Sequence, residues 1–155
     1  LVYNYWSCGR CPACLIGREV LCENLEGWVG FSTPGGFQEY LSVRPDRLLR
    51  VPEGIEAEEV CAASCAFGTG YRAVATRGRV QPGEVVVILG AGGVGLHTLQ
   101  IAREAGAHVL AVDVDPRKLE AAINLGAVGA ALAGEEAQAL VQDLPRLQVH
   151  EKDDP

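Results

Sequence analysis

The strongest constraint on this chain is a run of apolar residues that leads directly into a glycine-rich turn. Val85–Leu89 holds five apolar residues, most of them β-branched, as is typical of a buried parallel strand. Residues 90–95 then follow the pattern G-x-G-x-x-G. Apolar residues recur at helical spacing from Val94 to Ala105, and Gly106 ends the run. The sequence therefore predicts a strand, a tight turn and a helix in direct succession.

A glycine-rich turn in this position is typical of a dinucleotide-binding fold. Gly90 permits the tight turn, Gly92 lets the backbone approach a pyrophosphate, and Gly95 lets helix and strand pack closely. The N-terminus of the helix offers free N–H groups and a partial positive charge to phosphates. A second strand, predicted over residues 108–112, ends at Asp113, where a ribose-binding carboxylate is expected. The alternative is a glycine-rich turn in an unrelated α/β domain.

The chain beyond Asp113 continues the alternation of strands and helices. Asp115 suits a helix N-cap, Pro116 suits the first helical position, and Gly126 stops the helix. The inner face of this helix is assigned to Leu119, Ala122 and Ile123. The next strand is predicted over residues 127–132 and the next helix over residues 135–144. A polar tail is predicted at residues 150–155. This order is that of the first mononucleotide half of a doubly wound sheet.

Four cysteines near the start of the chain form a second motif. They follow the pattern C-x2-C-x2-C-x7-C at Cys8, Cys11, Cys14 and Cys22. Nothing in the sequence indicates secretion, so metal binding is favoured over disulfides. Four thiolates close a tetrahedral zinc site without an open position, and such a site is structural. An iron–sulfur cluster is the alternative, although the proline that typically follows a last ferredoxin cysteine is replaced by Glu23.

The remainder of the first half is predicted to be β structure around the cysteine loop. Residues 27–31, 35–43 and 48–51 have the apolar patterns and neighbouring turn residues of short strands. Glu39 interrupts the apolar face of the second of these strands.

An alanine-rich stretch follows at residues 57–75 and is predicted to be helical in two pieces, separated by residues 67–70. Cys61 and Cys65 lie on one face of this stretch. Considered singly, each cysteine is expected to be a small buried apolar residue.

Composition narrows the classes of partner. The sequence of 155 residues has a net charge of −7 and no cluster of Lys or Arg, which argues against nucleic acid and anionic membranes. Its longest apolar runs have strand length, which predicts no transmembrane helix. No signal peptide is visible and the sequence has no methionine. A cytoplasmic location is expected, and the chain is interpreted as a piece of a longer protein.

Several motifs occur together in one order. They are the four-cysteine loop, Gly-Gly-Phe-x-Glu-Tyr at residues 35–40, Cys-x-Phe-x-Thr-Gly-Tyr at residues 65–71, and the glycine turn with Asp113. Over residues 1–132 the sequence thereby resembles the zinc-containing medium-chain alcohol dehydrogenases. The resemblance implies an α/β fold, a Rossmann-type doubly wound parallel sheet preceded by part of a GroES-like β domain with a structural zinc lobe. It assigns residues 1–56 to the GroES-like part and residues 57–155 to the first half of the Rossmann domain.

The resemblance also implies roles for individual residues. The structural zinc ligands are matched by Cys8, Cys11, Cys14 and Cys22. One catalytic-zinc ligand is matched by Cys65, and the threonine that faces the nicotinamide ring by Thr69. Cofactor-binding positions of the phosphate turn and of the adenosine ribose are matched by Gly90, Gly92, Gly93, Val94, Gly95, Asp113 and Lys118.

The activity implied by the resemblance is a zinc-dependent, NAD-linked oxidation of an alcohol or polyol, with NADP less favoured. Catalytic zinc would lower the pKa of the alcohol, and hydride would pass to the nicotinamide. The substrate would be a small alcohol or aldehyde, and relatives are usually dimers or tetramers. The family's other catalytic-zinc groups, a Cys and a Gly-His-Glu segment, would lie upstream of Leu1. The chain by itself is therefore expected to be inactive.

Two other functions stay open at this point. One is a non-catalytic fragment that binds zinc and a nucleotide, and the other is a zinc-free reductase of the quinone oxidoreductase kind. The four-cysteine motif and Cys65 argue against the second. His97, the first histidine of the sequence, is expected to be a packing or exposed residue of the Rossmann helix, because catalytic zinc needs three converging ligands.

Overall fold

The computed structural model describes residues 1–142, apart from the side chain of Val141. The predicted end of the last helix and the predicted polar tail lie outside the described residues. The chain divides into two compact units, Leu1–Cys65 and a unit that begins at Ala66. Within residues 1–142, the structure contains no helix that is both long enough and apolar enough to cross a membrane.

The first unit is built around a small amount of regular structure. Strand β1 (Tyr5–Trp6) pairs antiparallel with β2 (Gly27–Trp28). Between them lie helix α1 (Pro12–Leu15) and a 3-10 turn at Glu19–Leu21, both inside the cysteine loop. A second 3-10 turn, Pro45–Arg47, precedes a single antiparallel bridge between Val2 and Leu48. The loop is therefore closed at its base by one short strand pair.

The strand predicted over residues 35–43 does not form, and this prediction is wrong. In the described part of the chain those residues have no strand partner, and the side chains of Phe37 and Tyr40 are exposed. An extended segment becomes a strand only when another strand accepts and donates its backbone hydrogen bonds. The alternating pattern specifies a face, but it cannot supply that partner. Of the strand predicted over residues 48–51, the Leu48 bridge is what the structure shows.

The alanine-rich stretch is helical, but it does not break where the sequence predicted. Helix α2 (Ala57–Val60) is followed by a π-helical segment (Ala63–Phe67), by α3 (Gly68–Tyr71) and by a second π-helical segment (Arg72–Gly78). The glycines that suggested a break are therefore helical. Gly70 is needed for packing, since a Cβ there would lie 2.8 Å from Thr98 Oγ1. Close helix packing, rather than a turn, explains this glycine.

The second unit contains a parallel sheet in the order β3-β4-β5. Its strands are β3 (Val85–Leu89), β4 (His108–Asp113) and β5 (Gly129–Leu132), and β4 is central. Helices α4 (Gly93–Glu104), α5 (Pro116–Asn124) and α6 (Glu135–Gln142) connect and follow these strands. The predicted βαβαβα order and the predicted N-cap at Asp115 are confirmed, because the Asp115 side chain accepts a bond from Arg117 N–H.

The core of this unit lies between the sheet and the helices. Leu99 of α4 and Val109, Leu110 and Ala111 of β4 are almost completely buried. Burying a leucine side chain of this kind stabilises a fold by about 2–3 kcal/mol. On α5, Leu119 and Ala122 face the core as predicted, whereas Ile123 is 46% exposed and was assigned wrongly. The helix turns 100° per residue, so Ile123 lies at the margin of the buried stripe rather than within it.

Arg79 carries backbone strain that a substitution should relieve. It follows the second π-helical segment with φ 50° and ψ 41°, and it has a positive φ although it is not a glycine. We expect Arg79→Gly to raise the free energy of unfolding by up to about 1 kcal/mol, because glycine adopts this conformation without a Cβ clash. The control, Arg77→Gly within the helical segment, should lower it by about 1 kcal/mol. Urea unfolding measures both, and an equal loss in both variants would contradict the prediction.

Candidate functional site

The four predicted metal ligands converge on one point in the first unit. Their sulfur atoms all lie within 4.8 Å of one another. The Sγ atoms of Cys11 and Cys14 are 3.4 Å apart, and those of Cys8 and Cys14 are 4.0 Å apart. A tetrahedral zinc with bonds of about 2.3 Å separates its sulfur ligands by about 3.8 Å. The spacing of the cysteines in the sequence therefore becomes a cluster of the size that a tetrahedral metal requires.

Local structure explains how the loop aims its sulfur atoms. Cys11 is the N-cap of α1, and the Pro12 that follows it pre-sets the first helical residue. Cys14 lies on the same short helix and is buried. Cys22 is the C-cap of the Glu19–Leu21 turn. Two tight turns therefore present three of the four ligands to the centre of the loop.

Backbone N–H groups surround the sulfur atoms. The N–H of Cys8 donates to Cys22 Sγ at 3.3 Å, and the N–H of Cys11 donates to Cys8 Sγ at 3.4 Å. Hydrogen bonds from the backbone of Cys14 and Glu23 lower the pKa of Cys11 to about 6. Hydrogen bonding to the charged form is what stabilises a thiolate.

The environment of Cys14 favours a bound cation. Burial, reinforced by the hydrogen bond with the Cys11 side chain, raises the pKa of Cys14 to about 12. Four thiolates in so small a volume repel one another unless a positive ion neutralises them. The donor set is soft and closed, so the residues present fit a structural zinc ion.

The second candidate site is the turn between β3 and α4. Gly90 has φ 96°, a value that favours glycine, and its N–H donates to Val112 O at 2.7 Å. A Cβ on Gly95 would overlap the carbonyl oxygen of Gly90. These two glycines are therefore required by the fold of the turn itself. By contrast, a Cβ on Gly92 or Gly93 would meet nothing within 4 Å, and neither residue has a positive φ.

Asp113 joins the end of β4 to this turn. Asp113 is 7% exposed, and its Oδ2 accepts a hydrogen bond from Ala91 N–H at 2.7 Å. Oδ1 accepts from Asp115 N–H at 2.9 Å and lies 3.6 Å from Lys118 Nζ. These hydrogen bonds, led by the one from Asp115, hold the pKa of Asp113 below its usual range. The carboxylate is consequently fixed, ionised and bonded to the glycine turn.

Both halves of the chain match known families. Residues 1–53 match the family model described as the alcohol dehydrogenase GroES-like domain, and residues 60–149 match the one described as the alanine dehydrogenase/PNT, C-terminal domain. An alcohol dehydrogenase of Geobacillus stearothermophilus is 41% identical over 123 residues, which cover 79% of this chain and 36% of that protein. Together these matches support a fragment of a zinc-containing medium-chain alcohol dehydrogenase.

Solved structures agree with this family assignment. An NAD-dependent alcohol dehydrogenase superposes with a TM-score of 0.84 at 28% identity, covering 93% of this chain and 43% of that one. The galactitol-1-phosphate dehydrogenase of Escherichia coli superposes with a TM-score of 0.83 at 28% identity, covering 96% and 42%. The chain thus spans less than half of the length of each of these relatives. The resemblance inferred from the sequence is confirmed at the level of family and fold.

Two residues that the family resemblance assigns to catalysis are accessible in this chain. Cys65, the last residue of the first unit, has an exposed side chain, as does Thr69 in α3. The expectation that Cys61 is buried is wrong, because it is exposed as well and its Sγ contacts Glu58 O at 3.2 Å. Cys61 is the C-cap of α2, a helix of four residues of which none is buried. His97 packs edge-to-face with Phe67 at a ring distance of 6.1 Å, as expected of a packing residue.

The sequence pattern missed one feature at the glycine turn. It assigned Asp113 to the ribose alone, whereas the same carboxylate also fixes the turn through Ala91 N–H. No pattern in the sequence signals this bond, because the donor is a backbone group.

The structure also shows the partner of a basic residue at the start of α5. Arg117 is paired with Asp115 through two hydrogen bonds at 3.2 and 3.0 Å.

Replacing Asp113 by asparagine should destabilise the second unit in a pH-dependent way. Its pKa is lowered on folding, so its stabilising effect is complete above the pKa of the unfolded chain and is lost as pH falls through the folded pKa. We therefore expect Asp113→Asn to unfold more readily than the parent at pH 7, and the difference to shrink below about pH 4. Urea unfolding between pH 3 and pH 7 measures it. Glu104→Gln, an equal charge change at an exposed position, should show almost no difference at any pH.

Proposed function

We propose that this chain supplies the structural zinc lobe and the adenosine-binding part of the cofactor site in a zinc-dependent, NAD-linked alcohol or polyol dehydrogenase. The observation that carries the proposal is the presence of two distinct sites in one chain of this family. One is the four-cysteine cluster, and the other is the glycine turn fixed by Asp113. The alcohol and polyol-phosphate dehydrogenases that it resembles support small alcohols as the substrate class.

The absence of a side chain at Gly92 supports the binding of a dinucleotide at the glycine turn. Gly92 needs to be glycine neither for its own backbone conformation nor for packing within the described residues. A residue without a side chain at that point leaves space for a ligand to approach the backbone. Gly93 and Val94 begin α4, so their N–H groups have no partner in the preceding turn of helix. We assign these residues, with Gly90 and Gly95, to the pyrophosphate.

The adenosine ribose is assigned to Asp113 and Lys118, which lie 3.6 Å apart. A carboxylate accepts hydrogen bonds from both ribose hydroxyls of NAD, and its charge repels the 2′-phosphate of NADP. Arg117 is the basic residue next to this site, and its guanidinium is paired with Asp115 instead of being free for that phosphate. Both observations favour NAD over NADP.

Calorimetric titration of the 155-residue chain with NADH and NADPH tests this assignment. We expect NADH to bind at least about tenfold more tightly, and Asp113→Ser to narrow or invert the preference, since unpaired like charges cost a few kcal/mol. Glu104→Gln removes the same charge elsewhere and should leave the preference unchanged. Equal affinity of the parent for both nucleotides would show that Asp113 does not select the cofactor, and binding of neither would overturn the cofactor assignment.

Cys65 and Thr69 are proposed as the chain's contribution to the reaction centre. When bound, a catalytic zinc supplies a Lewis acid that lowers the pKa of the alcohol. The role of Cys65 is to offer one thiolate ligand, and the role of Thr69 is to face the nicotinamide. Such a zinc needs three protein ligands. We therefore expect the chain alone not to reduce NAD with ethanol or a polyol, and in isolation it would be a non-catalytic zinc- and nucleotide-binding fragment.

Assembly and location complete the proposal. A homodimer or homotetramer of the whole protein is proposed from the family. The cysteines in the described residues are free, and zinc–thiolate ligation requires them to stay reduced, which is the condition of the cytoplasm.

A further inference from the structure

A closed set of polar contacts lies at the base of the cysteine loop. Ser7 is completely buried, and its hydroxyl donates to Glu19 Oε2 at 2.9 Å. Arg47 Nη2 donates to Ser7 Oγ at 3.2 Å and to the Ser7 carbonyl oxygen at 3.3 Å. Arg47 Nη1 donates to Glu19 Oε2 at 3.2 Å. We call Ser7, Glu19 and Arg47 the loop clamp, because each of its three members contacts the other two.

The loop clamp holds both ends of the metal-binding loop. Ser7 directly precedes Cys8, the first cysteine of the cluster. Glu19 begins the 3-10 turn that ends at Cys22, and the N–H of Cys22 donates to the Glu19 carbonyl oxygen at 3.0 Å. A displacement of Ser7 or Glu19 therefore moves the first or the last sulfur of the cluster.

Arg47 reaches the loop from outside. It lies in the Pro45–Arg47 turn, whose position is fixed because Tyr3 N–H donates to the Arg47 carbonyl oxygen at 2.8 Å. Its side chain is only 13% exposed. A guanidinium loses hydration when it is covered to this extent, and the loss is compensated only by well-placed acceptors. Its planar fork reaches three acceptors here, which the single ammonium of a lysine cannot do with the same geometry.

We propose that Arg47 is a positioning residue for the metal of the four-cysteine cluster. It fixes the two ends of the loop so that the four sulfur atoms are restrained from separating while the ion is bound. The inference rests on the proposed zinc in the lobe. Its consequence is that Arg47, which contacts no sulfur, controls how tightly and how long the metal is held.

The chain contains a matched control. Arg44 lies in the same part of the unit and forms ion pairs with Glu26 and Asp46. Its side chain is 37% exposed, and its recorded partners are both outside the segment between Cys8 and Cys22. Arg44→Lys therefore makes the same chemical change as Arg47→Lys at a guanidinium that does not contact Ser7 or Glu19, and Asp46 pairs with both arginines.

Zinc release from the loaded 155-residue chain to a chromogenic chelator tests the proposal. We expect Arg47→Lys and Ser7→Ala to release zinc about tenfold faster than the parent, the scale on which supporting contacts affect metal affinity. Arg44→Lys should release it at the parental rate. Cobalt substitution provides a second readout, because a displaced ligand changes the absorption of the thiolate-bound ion. If an Arg47 variant does not fold, Glu19→Gln replaces it in both measurements, because it weakens the same contacts and keeps the size of the side chain.

The outcomes separate the inference from the proposal on which it rests. If the parent chain binds no zinc, the proposed metal site is wrong. If the parent binds zinc and the Arg47 and Arg44 variants release it equally fast with unchanged cobalt spectra, the positioning role is wrong. A merely stabilising role for Arg47 would lower the unfolding temperature equally with and without metal, whereas positioning requires a larger loss in the metal-bound form.

Discussion

Replacing Cys11 by serine is expected to remove the metal and unfold the first unit. The parent chain should contain about one zinc, and the variant close to none. Structural zinc contributes an apparent binding free energy of about 10–16 kcal/mol in small domains, and a serine hydroxyl is a poor substitute for a thiolate. Apart from the metal, few contacts other than those of the loop clamp and the short strand pair β1–β2 hold the loop closed. Metal analysis together with hydrogen exchange of residues 1–50 measures both effects.

The matched control is Cys61→Ser. It makes the same chemical change at an exposed thiol outside the cluster, so both zinc content and exchange protection should stay at the parental level. If the parent chain contained iron and absorbed visible light, the zinc assignment would be wrong and the cluster would be the alternative iron–sulfur centre. Full protection of the loop in metal-free Cys11→Ser would show that the loop folds without metal.

Replacing Gly95 by alanine is expected to disrupt the glycine turn. The added Cβ would overlap the Gly90 carbonyl oxygen, and Ile88 Cγ2 would be 3.3 Å away on the same side. The overlapping atom belongs to the backbone and cannot rotate aside, so β3 and α4 must separate. Overpacking of this kind costs about 3 kcal/mol or more, which lowers the midpoint of thermal unfolding of a unit of this size by more than about 10 °C. Calorimetry and NADH titration should both report the loss.

Gly93→Ala separates packing from the other roles of the turn. A Cβ on Gly93 meets nothing within 4 Å, and the residue is the first of α4. The variant should be as stable as the parent, with a gain of up to about 1 kcal/mol from helix propensity. Equal unfolding temperatures for the Gly95 and Gly93 variants would contradict the close packing of helix and strand.

The sequence by itself determined the elements whose signals are local. Val85–Leu89 is one strand because its apolar, β-branched run is followed by glycines that end it. Asp115, Pro116 and Gly126 delimit α5 through capping and turn chemistry that operates within a few residues. The ligand set of the cysteine cluster could also be predicted, because closely spaced thiols on a tight loop have few ways to be apart.

Only the tertiary structure decided which local tendencies were realised. Residues 35–43 carry a strand pattern but lack a partner strand in the described chain, and backbone hydrogen bonds cannot be satisfied by a pattern alone. Gly70 suggested a helix break, yet it lies within α3, and Thr98 of the neighbouring helix leaves room there for no residue larger than glycine. Asp113 holds Ala91, and Arg47 holds Ser7, across separations that no periodicity encodes. Such contacts depend on where the chain returns in space, which long-range packing decides.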